Sequence, residues 1–170
     1  MCSSDLYLDP VLLWCASPRL VHFMAKKDLW RSGLLGWILD HLLAFPVHRE
    51  GADREAISTA TALLKSGDLV GMFPEGTRRR DGSEELGEAH NGVSFIAMRA
   101  GVPVVPVGIS GTDKAWPPGR KLPRFVRVTI RFGDPVYPDE FEGGRKERVA
   151  AMTSEVMHRV SQARDTDLEV

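Results

Sequence analysis

The segment Phe73-Pro-Glu-Gly-Thr-Arg78, continued by Arg79 and Arg80, gathers residue types that suit a charged substrate. Arginine presents a planar fork of donors that matches a phosphate, and Arg78, Arg79 and Arg80 offer three such forks. Pro74 stiffens the chain, and Gly76 lets the backbone approach a ligand closely. Glu75 and Arg78 stand on opposite sides of that glycine. Taken alone, an arginine-rich turn is also what a solvated loop looks like. What argues for a site is the apolar run Asp68 to Phe73 before it, which reads as a buried strand.

The elements that would hold this segment alternate between strand and helix. A short helix is expected over Pro10–Ala16, with the proline in its first turn. Arg19–Ala25 reads as a strand. Asp28 is placed to cap a helix running to about Leu43, whose apolar residues Leu34, Leu35, Ile38, Leu42 and Leu43 recur at helical spacing. Phe45–Arg49 is a short strand candidate. Asp53 caps the clearest helix, with Ala56, Ile57, Ala60, Leu63 and Leu64 in one stripe and Gly67 as its stop. Pro74–Asn91 reads as loop, and Gly92–Ala100 as a helix stopped by Gly101. Val102-Pro-Val-Val-Pro-Val107, continuing to Ile109, is apolar but holds two prolines. It is expected to be a strand with one irregular or edge segment. Thr112–Pro123 reads as loop. Val126, Val128, Ile130 and Phe132 alternate with polar residues, the pattern of a half-buried strand. A last helix is expected from Arg145 to about Arg164. The predicted fold is α/β, with a mostly parallel central sheet flanked by helices. In such sheets ligands bind at the carboxyl ends of strands, where the loops after Phe73 and Ile109 begin.

Composition narrows the function. With 170 residues, 43% hydrophobic and 26% charged, the chain suits one globular domain over residues 1–170, with 165–170 as a disordered tail. The formal net charge of -1 argues against a nucleic-acid module built on Arg78–Arg80. Cys2 and Cys15 form neither a CxxC pair nor a zinc pattern, so no metal is expected. The longest apolar stretch, Leu34 to Val47, is broken by Asp40 and His41 and falls short of the ~20 residues a membrane span needs. Trp30, Trp37, Lys26, Lys27 and Arg31 would suit a lipid surface; core packing is the plainer reading of this region.

Several blocks together resemble the glycerolipid acyltransferase family, of the 1-acylglycerol-3-phosphate type. Phe73-Pro-Glu-Gly-Thr-Arg78 is similar to its FPEGTR block, a specific hexapeptide. Phe45-Pro-Val-His-Arg49 resembles the block ending in a phosphate-binding arginine. Val102–Val107 resembles its VPVVPV block, and Leu8-Asp9-Pro10 the end of its NHxxxxDP block. Gly111-Thr112-Asp113 and Pro117-Pro118-Gly119 fit bacterial members, so the likeness runs from about Leu6 to about His158. It implies a glycerol-3-phosphate-acyltransferase-like fold and transfer of an acyl group from acyl-CoA or acyl-carrier protein to a lysophospholipid hydroxyl, without a cofactor. Asp9 would orient a histidine base, and Arg49 would bind the glycerol phosphate. Phe73, Pro74, Glu75, Gly76, Thr77 and Arg78 would position the acceptor, while Val104 and Pro106 would shape the acyl-donor side. The implied location is peripheral, on the cytoplasmic face of the cell membrane, with no span in this chain.

One position departs from the pattern. The histidine slot falls on Ser4, and the asparagine slot on Ser3. A hydroxyl has no lone pair that titrates near neutral pH, so the chain as written is expected to be inactive. His48 with Asp53 is a formal HxxxxD match, but His48 lies inside the second block and Asp53 serves better as a helix cap. His22, His41, His90 and His158 have no orienting aspartate at that spacing. Met1-Cys-Ser-Ser-Asp-Leu6 is also what the adaptor tail GTGTGCTCTTCCGATCT encodes from a GTG start. Residues 1–6 are therefore expected to be non-native, and the true chain to continue upstream with Asn-His. The alternatives are another glycerolipid acceptor, or a non-catalytic lipid- or acyl-CoA-binding remnant, which Ser4 favours.

Overall fold

The computed structural model describes residues 5–31, 33–47, 53–73, 88–112, 124 and 126–165. They form α1 (Asp5–Ala16), β1 (Val21–Lys26), α2 (Gly33–His41), β2 (Phe45–Val47), α3 (Arg54–Lys65), β3 (Leu69–Gly71), α4 (Glu88–Ala100), β4 (Val107–Ser110), β5 (Thr129–Phe132) and α5 (Arg145–Asp165). Short 3-10 turns cover Lys27–Arg31 and Pro138–Glu140. The fold is mixed α/β, with a parallel three-stranded sheet flanked by helices, as predicted. The chain divides into two compact units: Trp14–Phe73, and Met1–Leu13 together with Pro74–Val170.

In the Trp14–Phe73 unit the strand order is β2-β1-β3, all parallel. Helix α3 packs against β2 and β3. Its start is set by Asp53, whose Oδ1 accepts from the amides of Glu55 (3.1 Å) and Ala56 (3.0 Å). This satisfies two of the donors a helix N-terminus leaves free. At the other end Gly67 takes φ +92°, and the amides of Gly67 and Asp68 turn back onto the carbonyls of Leu64 and Leu63. That is a Schellman stop, available to glycine because it has no Cβ to clash. Both ends agree with the sequence reading. The core here is Val21, Phe23, Ala56 and Ala60.

The second unit pairs β4 with β5 antiparallel, Val107 opposite Phe132 and Ser110 opposite Thr129. Val104 pairs with Val136 beyond them. From Val104 to Val107 the chain takes three steps, while Phe132 to Val136 takes four, so the Gly133–Pro135 side is bulged. Arg159 donates to the carbonyls of Asp134 (3.3 Å) and Pro135 (2.9 Å). The irregularity expected of the Val102–Ile109 run is thus present: only Val107–Ser110 is continuous strand. Helix α5 packs on β4 and α4, around a core of Ala97, Val136, Met152 and Val156.

Several element boundaries differ from expectation. Helix α1 starts at Asp5, so Pro10 lies inside it rather than in its first turn. The predicted helix from Asp28 splits: Asp28 sits within the 3-10 turn, and α2 begins at Gly33. Trp30 folds back, donating Nε1–H to Asp40 Oδ1 at 2.8 Å and lying against Gly36, where a Cβ would come within 3.3 Å of its carbonyl oxygen. Leu43 is not helical but holds φ 53° in the turn leaving α2. Helix α4 begins at Glu88, not Gly92, because glutamate and alanine propagate a helix well and one interior glycine costs only about 1 kcal/mol. Asp165 closes α5 rather than opening a tail. Finally, the alternation of Val126 to Phe132 does not translate into burial: strand β5 has four residues, and Phe132 is 54% exposed.

Candidate active site

Strand β3 ends at Gly71, and the hexapeptide begins two residues later. Phe73 is half-buried, and its ring stacks on that of Phe23 in β1, centroids 6.1 Å apart and planes 14° apart. The parallel ladder sets Phe23 opposite Gly71. Phe73 lies two residues beyond Gly71, just past the end of the strand. A Cβ at Gly71 would stand 2.6 Å from the Phe23 ring. The missing side chain is what lets the Phe23 ring lie there.

Val104 exchanges backbone hydrogen bonds with Val136 in both directions, at 2.9 and 2.8 Å. Pro106 is fully buried, and its carbonyl accepts the Gly133 amide at 2.8 Å. The two prolines of this block, 103 and 106, lack an amide, while the carbonyl of Pro106 is used. Asp9 lies in α1, with only its backbone described. Ser3, Ser4, His48, Arg49, Pro74, Glu75, Gly76, Thr77, Arg78, Arg79 and Arg80 lie outside the described residues, as do Asp113 and Pro117–Gly119. Val104 and Pro106 are thus together in one unit, and Phe73 belongs to the other.

The remaining histidines have local surroundings. His22 is half-buried on β1. His41 Nδ1 lies 2.7 Å from the Trp37 carbonyl, one helical turn back, and its ring packs on the Trp37 indole at 4.1 Å. His158 Nε2 lies 3.0 Å from Gln162 Nε2 on α5. Among the described residues no group of three or more histidines, cysteines, aspartates or glutamates could hold a metal ion. Nor is any described helix long and apolar enough to cross a membrane. Sequence reasoning missed Phe23: an isolated phenylalanine in a strand carries no sign of what it touches, though an apolar strand with glycine at position 71 hints that something occupies the space.

Comparison with known proteins converges on one family. The family model described as Acyltransferase matches residues 4–110. The 1-acyl-sn-glycerol-3-phosphate acyltransferase of Bacillus subtilis (strain 168) is 32% identical over 163 residues, covering 95% of this chain and 78% of that protein. The Streptococcus pneumoniae protein of the same name is 32% identical over 131 residues, 75% of this chain and 46% of its own length. The crystal structure of the 1-acyl-sn-glycerophosphate (LPA) acyltransferase PlsC from Thermotoga maritima matches with a TM-score of 0.57 and 28% identity, covering 84% of this chain and 56% of that one. The chain therefore spans about half the length of the Streptococcus and Thermotoga proteins it resembles.

Proposed function

The chain belongs to the acyltransferase family, and from that premise we propose that it is built to move a fatty acyl group onto the free hydroxyl of 1-acylglycerol 3-phosphate, giving phosphatidic acid. The observation that carries this reading is the position of Phe73. The FPEGTR-like segment leaves from the carboxyl end of a parallel strand, where sheets of this class bind their ligands. The names of the relatives from Bacillus and Streptococcus support the acceptor.

The chemistry needs a base and an orienter. The acceptor hydroxyl oxygen bonds to the thioester carbonyl carbon, the carbon–sulfur bond breaks, and the hydroxyl proton passes through the base to the leaving thiolate. The donor is an acyl thioester of coenzyme A or of a carrier protein. Asp9 is the proposed orienter, Arg49 and Arg78 hold the phosphate, and Glu75, Gly76 and Thr77 position the glycerol. Val104 and Pro106 shape the donor side. With serine at position 4 the chain has no base at the motif position, and its turnover is set by positioning alone. A peripheral place on a cytoplasmic membrane surface fits a lipid acceptor. It is supported by Trp37, 59% exposed on α2 beside the 3-10 turn that carries Lys27 and Arg31.

The test compares the chain as it stands with a Ser3→Asn/Ser4→His double variant, following phosphatidic acid formation from acyl-CoA and lysophosphatidic acid. The variant is expected to gain about 10²- to 10⁴-fold, the usual worth of a general base. Equal, robust activity in both would overturn this account of the base. Binding of acyl-CoA by both with turnover by neither would favour the second reading, a non-catalytic lipid- or acyl-CoA-binding protein, to which Ser4 itself points.

A further inference from the structure

We propose that α2 is the element that docks on an anionic phospholipid bilayer, with the Trp37 indole entering the headgroup layer and Lys27 and Arg31 meeting acidic headgroups. The inference rests on the acyltransferase reading above, which demands a lipid acceptor. It deepens that reading by naming the docking residues and the charge of the surface they take.

In the sequence Trp30 and Trp37 look alike, and the structure separates them. Trp30 is half-buried: it gives its Nε1–H to Asp40 Oδ1 at 2.8 Å and lies against Gly36. Trp37, the next residue after Gly36, is left 59% exposed. Tryptophan hides most of its surface in the average protein, so an indole held out in solvent marks a surface that something else covers. Its apolar body and polar N–H tip suit the boundary between headgroups and acyl chains. The indole is also held in place. His41, one helical turn on, packs its ring on the indole at 4.1 Å, and its Nδ1 lies 2.7 Å from the Trp37 carbonyl. A side chain already held loses less freedom when it docks.

Charge selects the partner. The 3-10 turn Lys27–Arg31 packs on α2, and Lys27 and Arg31 are exposed there. From Lys26 to His41 the sequence sets Lys26, Lys27 and Arg31 against Asp28 and Asp40, a cationic excess in a chain whose formal net charge is -1. Of the two acids, Asp40 is engaged by the Trp30 indole. A helix lying in a membrane interface binds by buried apolar area together with attraction to anionic lipid, and both are present here. With nine residues, α2 is far too short to cross a bilayer, so it lies along the surface.

The experiment is flotation of the unaltered chain with two kinds of vesicle, pure phosphatidylcholine and an equal mixture of phosphatidylcholine and phosphatidylglycerol. Neither contains an acyl donor or a lysophospholipid, so no turnover enters the reading. The chain is expected to prefer the mixed vesicles, with a preference that fades as salt is added. Trp37→Ala should weaken binding to the mixed vesicles about tenfold, near the lower end for burying a large apolar side chain. Lys27→Gln/Arg31→Gln should weaken it about fivefold for each charge removed, and should abolish the preference for the mixed vesicles. Phe132→Thr, which removes an exposed ring from the other compact unit, should leave binding within twofold. Urea midpoints of all variants should match that of the unaltered chain, as expected for exposed positions. Equal binding to the two vesicle types, full binding by Trp37→Ala, or an equal loss in Phe132→Thr would overturn the proposal. So would sedimentation of the unaltered chain as a dimer that Trp37→Ala dissociates, which would assign this face to a second copy. Absence of all vesicle binding would overturn the docking role alone. The acyltransferase reading fails separately, if the Ser3→Asn/Ser4→His variant forms no phosphatidic acid from a soluble short-chain acceptor.

Discussion

Each sheet leaves out a side chain at one glycine, and what occupies the space differs. At Gly71, in the parallel sheet, the neighbour is the Phe23 ring. At Gly108, in the antiparallel pair, it is the backbone of α5: an added Cβ would lie 2.5 Å from the carbonyl carbon of Ala163 and the amide nitrogen of Arg164. A ring can turn or shift by a few tenths of an ångström. A helix backbone cannot move without moving the helix. The first glycine thus tunes a contact, while the second is a condition for α5 to dock on β4 at all. The comparison also explains the exposure of Phe132. Gly108 faces α5, so its cross-strand partner Arg131 lies on that covered side, and Val107, Ile109, Ile130 and Phe132 take the other face.

The sharpest way to break this contrast is alanine at each glycine. Gly108→Ala should cost about 3 kcal/mol of unfolding free energy, the high end for forcing atoms into a filled space, read by urea denaturation. A cost under half of that would mean that α5 can slide on the sheet. Gly71→Ala should cost about 1 kcal/mol in the same measurement, because the clash is with a ring that can yield. If the two costs are equal, the distinction between ring and backbone has no energetic content. The smallest effect is expected at Phe132→Thr. With the ring 54% exposed on the face away from α5, the change should stay within about 0.5 kcal/mol. A loss several times larger would show that this face is packed in solution, as the alternating pattern alone suggests.

Much of this fold is legible because its signals are local. Asp53 sits three residues before Ala56, whose amide it accepts, Gly67 follows the cap residue Ser66 at the end of α3, and Gly101 stands immediately after α4. Such chemistry is complete within one turn of chain, so reading along the sequence finds it. The exit of β3 was visible for the same reason: an apolar run, then a proline. Misreadings fall where a distant contact decides. Whether Asp28 begins one helix or belongs to a separate turn depends on Trp30 folding onto Gly36 and Asp40. Whether Phe132 or Arg131 faces the helix depends on α5, which lies later in the chain.

The candidate site divides along the same line. The identities of Asp9, Arg49, Glu75 and Arg78, the serine at position 4, and the family they imply are properties of order and spacing, and the sequence determined them by itself. Spacing suffices there because family blocks are contiguous stretches, each recognisable without its neighbours. What only the tertiary structure decided is which side chains outside those blocks bear on them. Phe23 meets Phe73 because the parallel ladder sets Phe23 opposite Gly71, two residues before Phe73, and Gly71 has no side chain to displace the Phe23 ring. That contact exists only after the sheet has formed, since parallel neighbours are joined by a crossover and never by adjacency in the chain.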